Sequence, residues 1–431
     1  MKQQMKNRFR PAALAALATL ALTACTGIQG NSPSNNISLI LSPTTNELYV
    51  FNLLNHRVVS TLETGARPDD IAVSSDSRRT LVTNLNDGSL SVYERLTGTE
   101  LISRGRVSVQ GTLVQGVSFN STGNRAYVSV GDTGSVAVLD TTSPSRLPNL
   151  IRSIRIPYSN NPAARRPNPA QIAVSPDNNR LFVVDRANGT LLAFNQTQAD
   201  NFALAEFFQP AVNARVEFRD VSVDRNGRVY LLDSANDQLL VFNGANIQQP
   251  VAQVSLRDGQ FPVITPENIA ISKGLNRLYI TGSAANVITV VNNPSTLTGN
   301  VQLQAVGQNI PINGDPRRPA TSPTGIDITS NDQQIYVSNG GGGFNISLLE
   351  VAPNGQVVPS RNFGTAASAA NAPPLGRMKI VFFDTVAGQA IRTRSEDSTE
   401  ETAPAVDTAP AVDTAPPVGA PNQPVSSLRF F

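Results

Sequence analysis

The sequence predicts an all-β protein: a seven-bladed β-propeller of four-stranded antiparallel blades, closed by a C-terminal strand that joins the first blade. Three observations carry this. An inner-strand pattern recurs every 46 to 57 residues, as IAVS from Ile71, VSFN from Val117, IAVS from Ile172, VSVD from Val221, IAIS from Ile269 and IDIT from Ile326, with IVFF from Ile380 as a looser seventh. Each of the first six is followed across polar turns by further apolar strands, such as LFVVD and GTLLAFN after Ile172. Finally, the repeat opens without a first strand and closes with a first strand that has no followers.

Composition agrees. With 431 residues, 40% apolar, the chain can bury one large core or two or three ordinary ones. Gly and Pro number 30 each, and Val, Thr, Ser and Asn fill the segments between them, which suits short strands joined by turns. The formal charge of +2 includes Lys2, Lys6, Arg8 and Arg10; without them 30 basic residues face 32 acidic ones, a net −2. No strong pull toward nucleic acid follows, and no basic-aromatic cluster supplies one.

From the N-terminus, MKQQMKNRFR is a basic head and PAALAALATLALTAC an apolar run too short for a comfortable membrane span. Residues 1–24 therefore read as an export signal. The run ends in Leu22-Thr23-Ala24-Cys25, which resembles the lipobox of bacterial lipoproteins. That resemblance implies lipidation of Cys25, cleavage before it, and a membrane partner reached through the N-terminal lipid. Each buried CH₂ of an acyl chain contributes about 0.8 kcal/mol to such anchoring. Thr26 in place of Asp implies sorting to the outer membrane or cell surface. Residues 25–36 are polar and turn-rich, as a tether should be. Cys25 is the only cysteine, so the mature chain has no disulfide, thiolate zinc site or cysteine nucleophile.

Residues 37–388 form the repeat. In Ile172-Ala173-Val174-Ser175 large side chains share one face and small ones the other. Second strands such as Leu181-Phe182-Val183-Val184 are apolar throughout, as expected of strands covered on both faces. A lone unit would leave those faces wet. Stacking in a ring buries them, and each inward Ile, Leu or Phe then contributes about 1.5–3 kcal/mol. Before Ile71, NISLILSP, NELYVFN and HRVVSTLETG align with second, third and fourth strands, while GRMKIVFFD at 376–384 supplies a first strand. Together they complete a seventh blade, and pairing the two ends removes an exposed edge.

NELYVFN, NRAYVSV, NRLYITG and QQIYVSN, most of them after an IAVSPD-like strand, resemble the YVTN-type β-propeller repeat of envelope proteins. The resemblance covers about residues 37 to 384 and specifies architecture rather than activity. After it, the tail 389–431 carries a tandem AVDTAP and is dense in Pro, Ala, Thr and acids, a composition expected to be disordered. Its final SSLRFF is either an unstructured apolar end, the simpler account, or a docking peptide.

Residues that recur in every blade are expected to be scaffold. Arg125, Arg180, Arg228 and Arg277 before second strands, and Asp76, Asp177 and Asp224 in the turns, belong here. So do the hairpin turns NLNDGS, RANGT and SANDQ. Departures from the repeat are candidates for function. The loops GARPDD, NPAARRPNPAQ, EFRD and NGDPRRPATSPTG lead into first strands on the face that rings the channel. They place Arg67, Asp70, Arg165, Arg166, Asp220, Glu267, Arg317 and Arg318 as candidate ligand-binding residues, for an anionic or sugar-like ligand held by Arg forks. Solvated ion pairs on long loops are the plainer alternative. GGGG at 340–343 is either a close-approach segment or a flexible turn.

His56 is the only histidine, so no histidine triad or histidine metal cluster forms. The chain has no Trp, on which quinone-dependent propeller enzymes generally stack their cofactor, and no local metal-binding motif. No cofactor and no catalytic residue is therefore assigned. The first expectation is a lipid-anchored binding or scaffold module of the cell envelope, with an envelope protein or glycan as partner. The second is an exported hydrolase resembling lactonase-type propellers, with a divalent metal held by Asp, Glu or Asn in the channel.

Overall fold

Strands that alternate large side chains between their two faces pack a neighbour on each side, and seven hydrophobic clusters show the result. Each cluster joins adjacent blades. Leu39 and Leu41 pack with Ile71 and Val82 of the next blade, while Ile40 on the opposite face packs with Tyr336 and Ile346 of the last blade. In a computed structural model the described residues are 36–157, 164–211, 214–314, 316–365 and 372–381, all within one compact unit, Met1–Asp384. The expected signal 1–24, Cys25, the tether up to residue 35, the ring beyond Val381 and the tail lie outside the described residues.

Seven sheets form the ring, each beginning at the channel. The first blade contains Met378–Val381, Ile37–Ser42, Glu47–Asn52 and Arg57–Glu63 in that order. The next six have inner strands Pro68–Val73, Val114–Phe119, Pro169–Val174, Phe218–Val223, Pro266–Ile271 and Thr321–Ile328. The C-terminal strand thus pairs antiparallel with Ile37–Ser42 and closes the ring. The fifth blade carries an extra strand, Gly299–Gln302, which leaves the sixth blade's loop and pairs parallel with Ala252–Ser255.

Register refines the seventh repeat. Lys379 faces Leu39 as Ala72 faces Leu81, and both leucines stand three residues before the ends of their strands, Ser42 and Asn84. Met378, Lys379 and Ile380 therefore occupy the places of Ile71, Ala72 and Val73. The IVFF of the sequence pattern lies two residues too far along. It was misaligned because Met378-Lys379 lacks the apolar-small rhythm of the other inner strands.

The corrected register defines a ring of equivalent positions: Arg377, Asp70, Gly116, Gln171, Asp220, Asn268 and Gly325. Side chains here brace the following blade. Asp70 accepts the Val117 N–H at 3.0 Å, Asp220 the Ile269 N–H at 2.9 Å, and Asn268 the Ile326 N–H at 3.2 Å. Gly116 and Gly325 stand where the next backbone comes closest: a Cβ would lie 2.3 Å from the Ala170 carbonyl and 2.8 Å from the Gly376 carbonyl.

A second set of braces lies toward the outer strands. Arg79, Arg125, Arg180, Arg228 and Arg277, each opening a second strand, reach the loop between third and fourth strands of the next blade. Arg277 meets the Gly355 carbonyl at 2.6 Å, Arg228 the Leu297 carbonyl at 3.1 Å, and Arg125 pairs with Asp200 at 2.7 Å; Arg180 reaches the Gly244 carbonyl and Arg79 those of Ser143 and Arg146. Asp76 and Asp224 accept turn N–H groups at 3.0 and 2.9 Å, as scaffold residues should. No helix among the described residues is long and apolar enough to cross a membrane.

Candidate functional site

All inner strands run in one direction along the channel, so the residues just before the ring gather at one mouth. Asp69, Gln115, Arg219 and Glu267 are such residues. Arg186 joins them from the hairpin after a second strand, its Nη1 donating to Gln115 Oε1 at 3.1 Å. Glu217 lies beside Arg219, 2.6 Å from its Nη2.

Below this mouth one guanidinium organises the channel. Arg377 Nη1 lies 3.1 Å from Asp220 Oδ1 and 3.6 Å from Asp70 Oδ1, and the three side chains are 18%, 5% and 10% exposed. Arg377 Nη2 also donates to the Arg219 carbonyl at 3.4 Å. Burial works to lower the Arg377 pKa, but Asp220, Asp70 and Asp69 outweigh it and hold the guanidinium above its ordinary value. One cation does not compensate every buried carboxylate, and burial pushes both Asp69 and Asp70 up despite Arg377.

Glu267 is a second carboxylate of the mouth that burial perturbs. Burial raises its pKa, while Arg219 and a hydrogen bond from Ser283 Oγ work against that rise. The Ser283 bond is 3.2 Å and Arg219 Nε is 3.8 Å from the other carboxylate oxygen. Burial also lowers the Arg186 pKa, and its buried Nε has no hydrogen-bond partner. The arrangement offers a partly desolvated carboxylate beside the Arg219 guanidinium, while Arg186, held by Gln115 near Asp69 at the same mouth, keeps one buried donor unmet.

The structure brings together three of the eight residues singled out in the sequence, Asp70, Asp220 and Glu267. Asp70 and Asp220 are the walls that hold Arg377. Arg67 is exposed near Asp69, with φ 56° and its N–H on Asn46 Oδ1 at 2.7 Å. Arg165 and Arg166 are exposed, and the Arg165 backbone bonds Asn188 at 2.8 Å. Arg317 and Arg318 are exposed too; Arg318 lies 5.3 Å from the Phe344 ring and 3.4 Å from the Asn362 carbonyl, on an outermost strand away from the channel. Gly342 of GGGG has φ 83°, and a Cβ there would meet the chain's own Pro319 carbonyl at 2.5 Å, so its need for glycine is internal.

Sequence reasoning missed Arg186, Arg219 and Arg377. Arg186 sat inside RANGT, read as a turn, and Arg377 inside GRMKIVFFD, read only for closure. The signal that finds Arg377 is the register, which puts an arginine where other blades carry Asp, Asn, Gln or Gly.

No protein-family model matches this sequence, and no curated protein matches it. Solved structures do. A candidate 6-phosphogluconolactonase of Bacteroides fragilis aligns over 82% of this chain and 100% of its own, at 14% identity and TM-score 0.59. A periplasmic gluconolactonase of Pseudomonas aeruginosa aligns over 80% and 99%, at 15% identity and TM-score 0.61. The hydrazine synthase of Kuenenia stuttgartiensis aligns over 76% and 98%, at 15% identity and TM-score 0.57. At these identities the likeness shows the fold alone, a seven-bladed propeller that serves unrelated reactions.

Proposed function

We propose that the protein hydrolyses the lactone of a hydroxylated sugar acid at the channel mouth. The observation that carries this is Glu267, a carboxylate whose pKa burial raises, set between Arg219 and Ser283. The gluconolactonase and the 6-phosphogluconolactonase candidate among the fold neighbours weigh toward this hydrolase over a non-catalytic binding or scaffold module.

A metal does not fit the channel. Among the described residues no three His, Cys, Asp or Glu side chains converge to hold one. Asp70 and Asp220 already commit their oxygens to Arg377, Val117, Asn268 and Ile269. This chain's own groups carry the reaction. Glu267 takes a proton from water as the oxygen attacks the lactone carbonyl. Arg219 donates to the oxyanion that forms. Collapse breaks the ring C–O bond, the released alkoxide takes the proton from Glu267, and the new carboxyl group gives its remaining proton to solvent, so that the product leaves as the hydroxy carboxylate.

The test is the initial rate of glucono-1,5-lactone hydrolysis above the spontaneous rate. Glu267→Gln is expected to lower kcat about 10²–10⁴-fold with the fold intact. Wild-type protein that adds nothing to the spontaneous rate overturns the proposal. The N-terminal sequence supports a second part: the mature chain begins at Cys25 and is held by lipid in the cell envelope, at the outer membrane or cell surface.

A further inference from the structure

The channel continues past Arg377 as a cavity of about 500 Å³. Arg377, Asp70 and Asp220 line it, whereas Asp69, Arg186, Arg219 and Glu267 do not, so the ion-paired cluster stands between this chamber and the mouth. At the far end its lining is Ser74, Ser77, Asn120 and Lys273, which follow the inner strands. Two positions after the ring most inner strands carry a small residue that lines this chamber: Ala72, Ser118, Ala173, Ser222 and Ala270.

Two blades break that rule, with Asp327 and Lys379. They sit in adjacent blades yet do not pair. Asp327 accepts backbone N–H groups on both oxygens, from Ile380 at 2.8 Å and Ile328 at 2.9 Å. The ammonium of Lys379, a half-buried residue of the channel wall, has no hydrogen-bond or ion-pair partner among the described residues. Lys273 and Lys379 are the only lysines after Lys6, and both line this one cavity. Elsewhere the ring's cations are arginines tied to carboxylates or carbonyls.

A half-buried ammonium with no acceptor among the described residues, in a chamber whose carboxylates are taken by Arg377 and backbone N–H groups and whose serines offer hydroxyls, is suited to an anion. A cavity of this size falls in the range of small-molecule sites, about 300–1,000 Å³. We infer that the chamber is a second ligand site, distinct from the mouth, which binds a small hydroxylated carboxylate or phosphate with its anionic group on Lys379. Ser118 and Ser222 supply hydroxyl partners. The site does not depend on the reaction at the mouth.

Calorimetric titration of the full mature chain tests this at low salt, with inorganic phosphate and glycerate as separate probes. Wild type is expected to bind at least one probe saturably. Lys379→Met is expected to weaken that binding about tenfold or more, while Lys379→Arg and Glu267→Gln keep it. Failure of both probes to bind wild type, equal binding by K379M, or loss of binding in E267Q overturns the site. A measurement on wild type alone guards against misfolded variants: the bound probe should slow acetylation of Lys379, read by peptide mass, and an unchanged rate also overturns it.

Discussion

Arg377 of the first blade reaches Asp220 of the fifth across the channel, Nη1 to Oδ1 at 3.1 Å. The same nitrogen lies 3.6 Å from Asp70 of the second blade. Arg377 thus ties three blades at the axis, while Met378–Val381 joins the first blade's sheet through its ladder with Ile37–Ser42. Closure is electrostatic at the centre and hydrogen-bonded at the sheet.

Removing that strand should open the ring. A chain ending at residue 375 loses the inner strand of the first blade and the contacts of Met378 and Ile380 with Ile40 and Tyr336. Each lost large apolar side chain costs about 2–5 kcal/mol. A chain ending at 389 keeps every described contact. Thermal melts are expected to show strong destabilisation for the first and a wild-type Tm for the second; equal melting would contradict closure.

The junction between first and last blades also carries the only histidine. His56 stacks on Phe363 at 4.4 Å and 4°, and its Nε2 lies 3.1 Å from the Tyr336 hydroxyl. Burial, then the charge of Arg361, lowers its pKa below 6.5. The folded state therefore favours neutral imidazole. Its stabilising share is fully present above pH 6.5 and is lost as pH falls toward the folded-state pKa. Chemical denaturation of wild type and His56→Phe between pH 7.5 and 5, chosen to span roughly the histidine range, should show the wild type losing stability relative to the variant. Parallel curves would remove His56 from the pH response.

Anchoring is tested at Cys25. Cys25→Ser is expected to move the exported protein from the membrane fraction to the soluble one, because one sulfur carries the lipid that the LTAC segment implies. Retention in the membrane would refute a lipid anchor.

Much of the architecture was legible because it repeats. Ile71, Val117, Ile172, Val221 and Ile269 recur at blade spacing, and a two-residue period shows which side chains face neighbours. The site was less legible. Asp70 and Asp220 were visible as loop-end acids, but only register reveals that Arg377, 157 positions from Asp220, shares their level. Arg165, Arg166, Arg317 and Arg318 drew notice by crowding along the chain, and the fold leaves them on exposed loops. Arg186 was hidden in a turn motif, since no local pattern tells a turn arginine that points to the channel from one that points to solvent.

The central claim is that one guanidinium couples opposite blades and separates the mouth from the chamber below it. A double-mutant cycle measures this directly, with unfolding free energies of wild type, Arg377→Met, Asp220→Asn and the double variant. R377M strands two buried carboxylates and is expected to cost about 3–5 kcal/mol. The double variant should recover part of that loss, with a coupling energy of about 0.5–3 kcal/mol. Strictly additive costs would show that Arg377 and Asp220 do not act on one another, and would contradict the account.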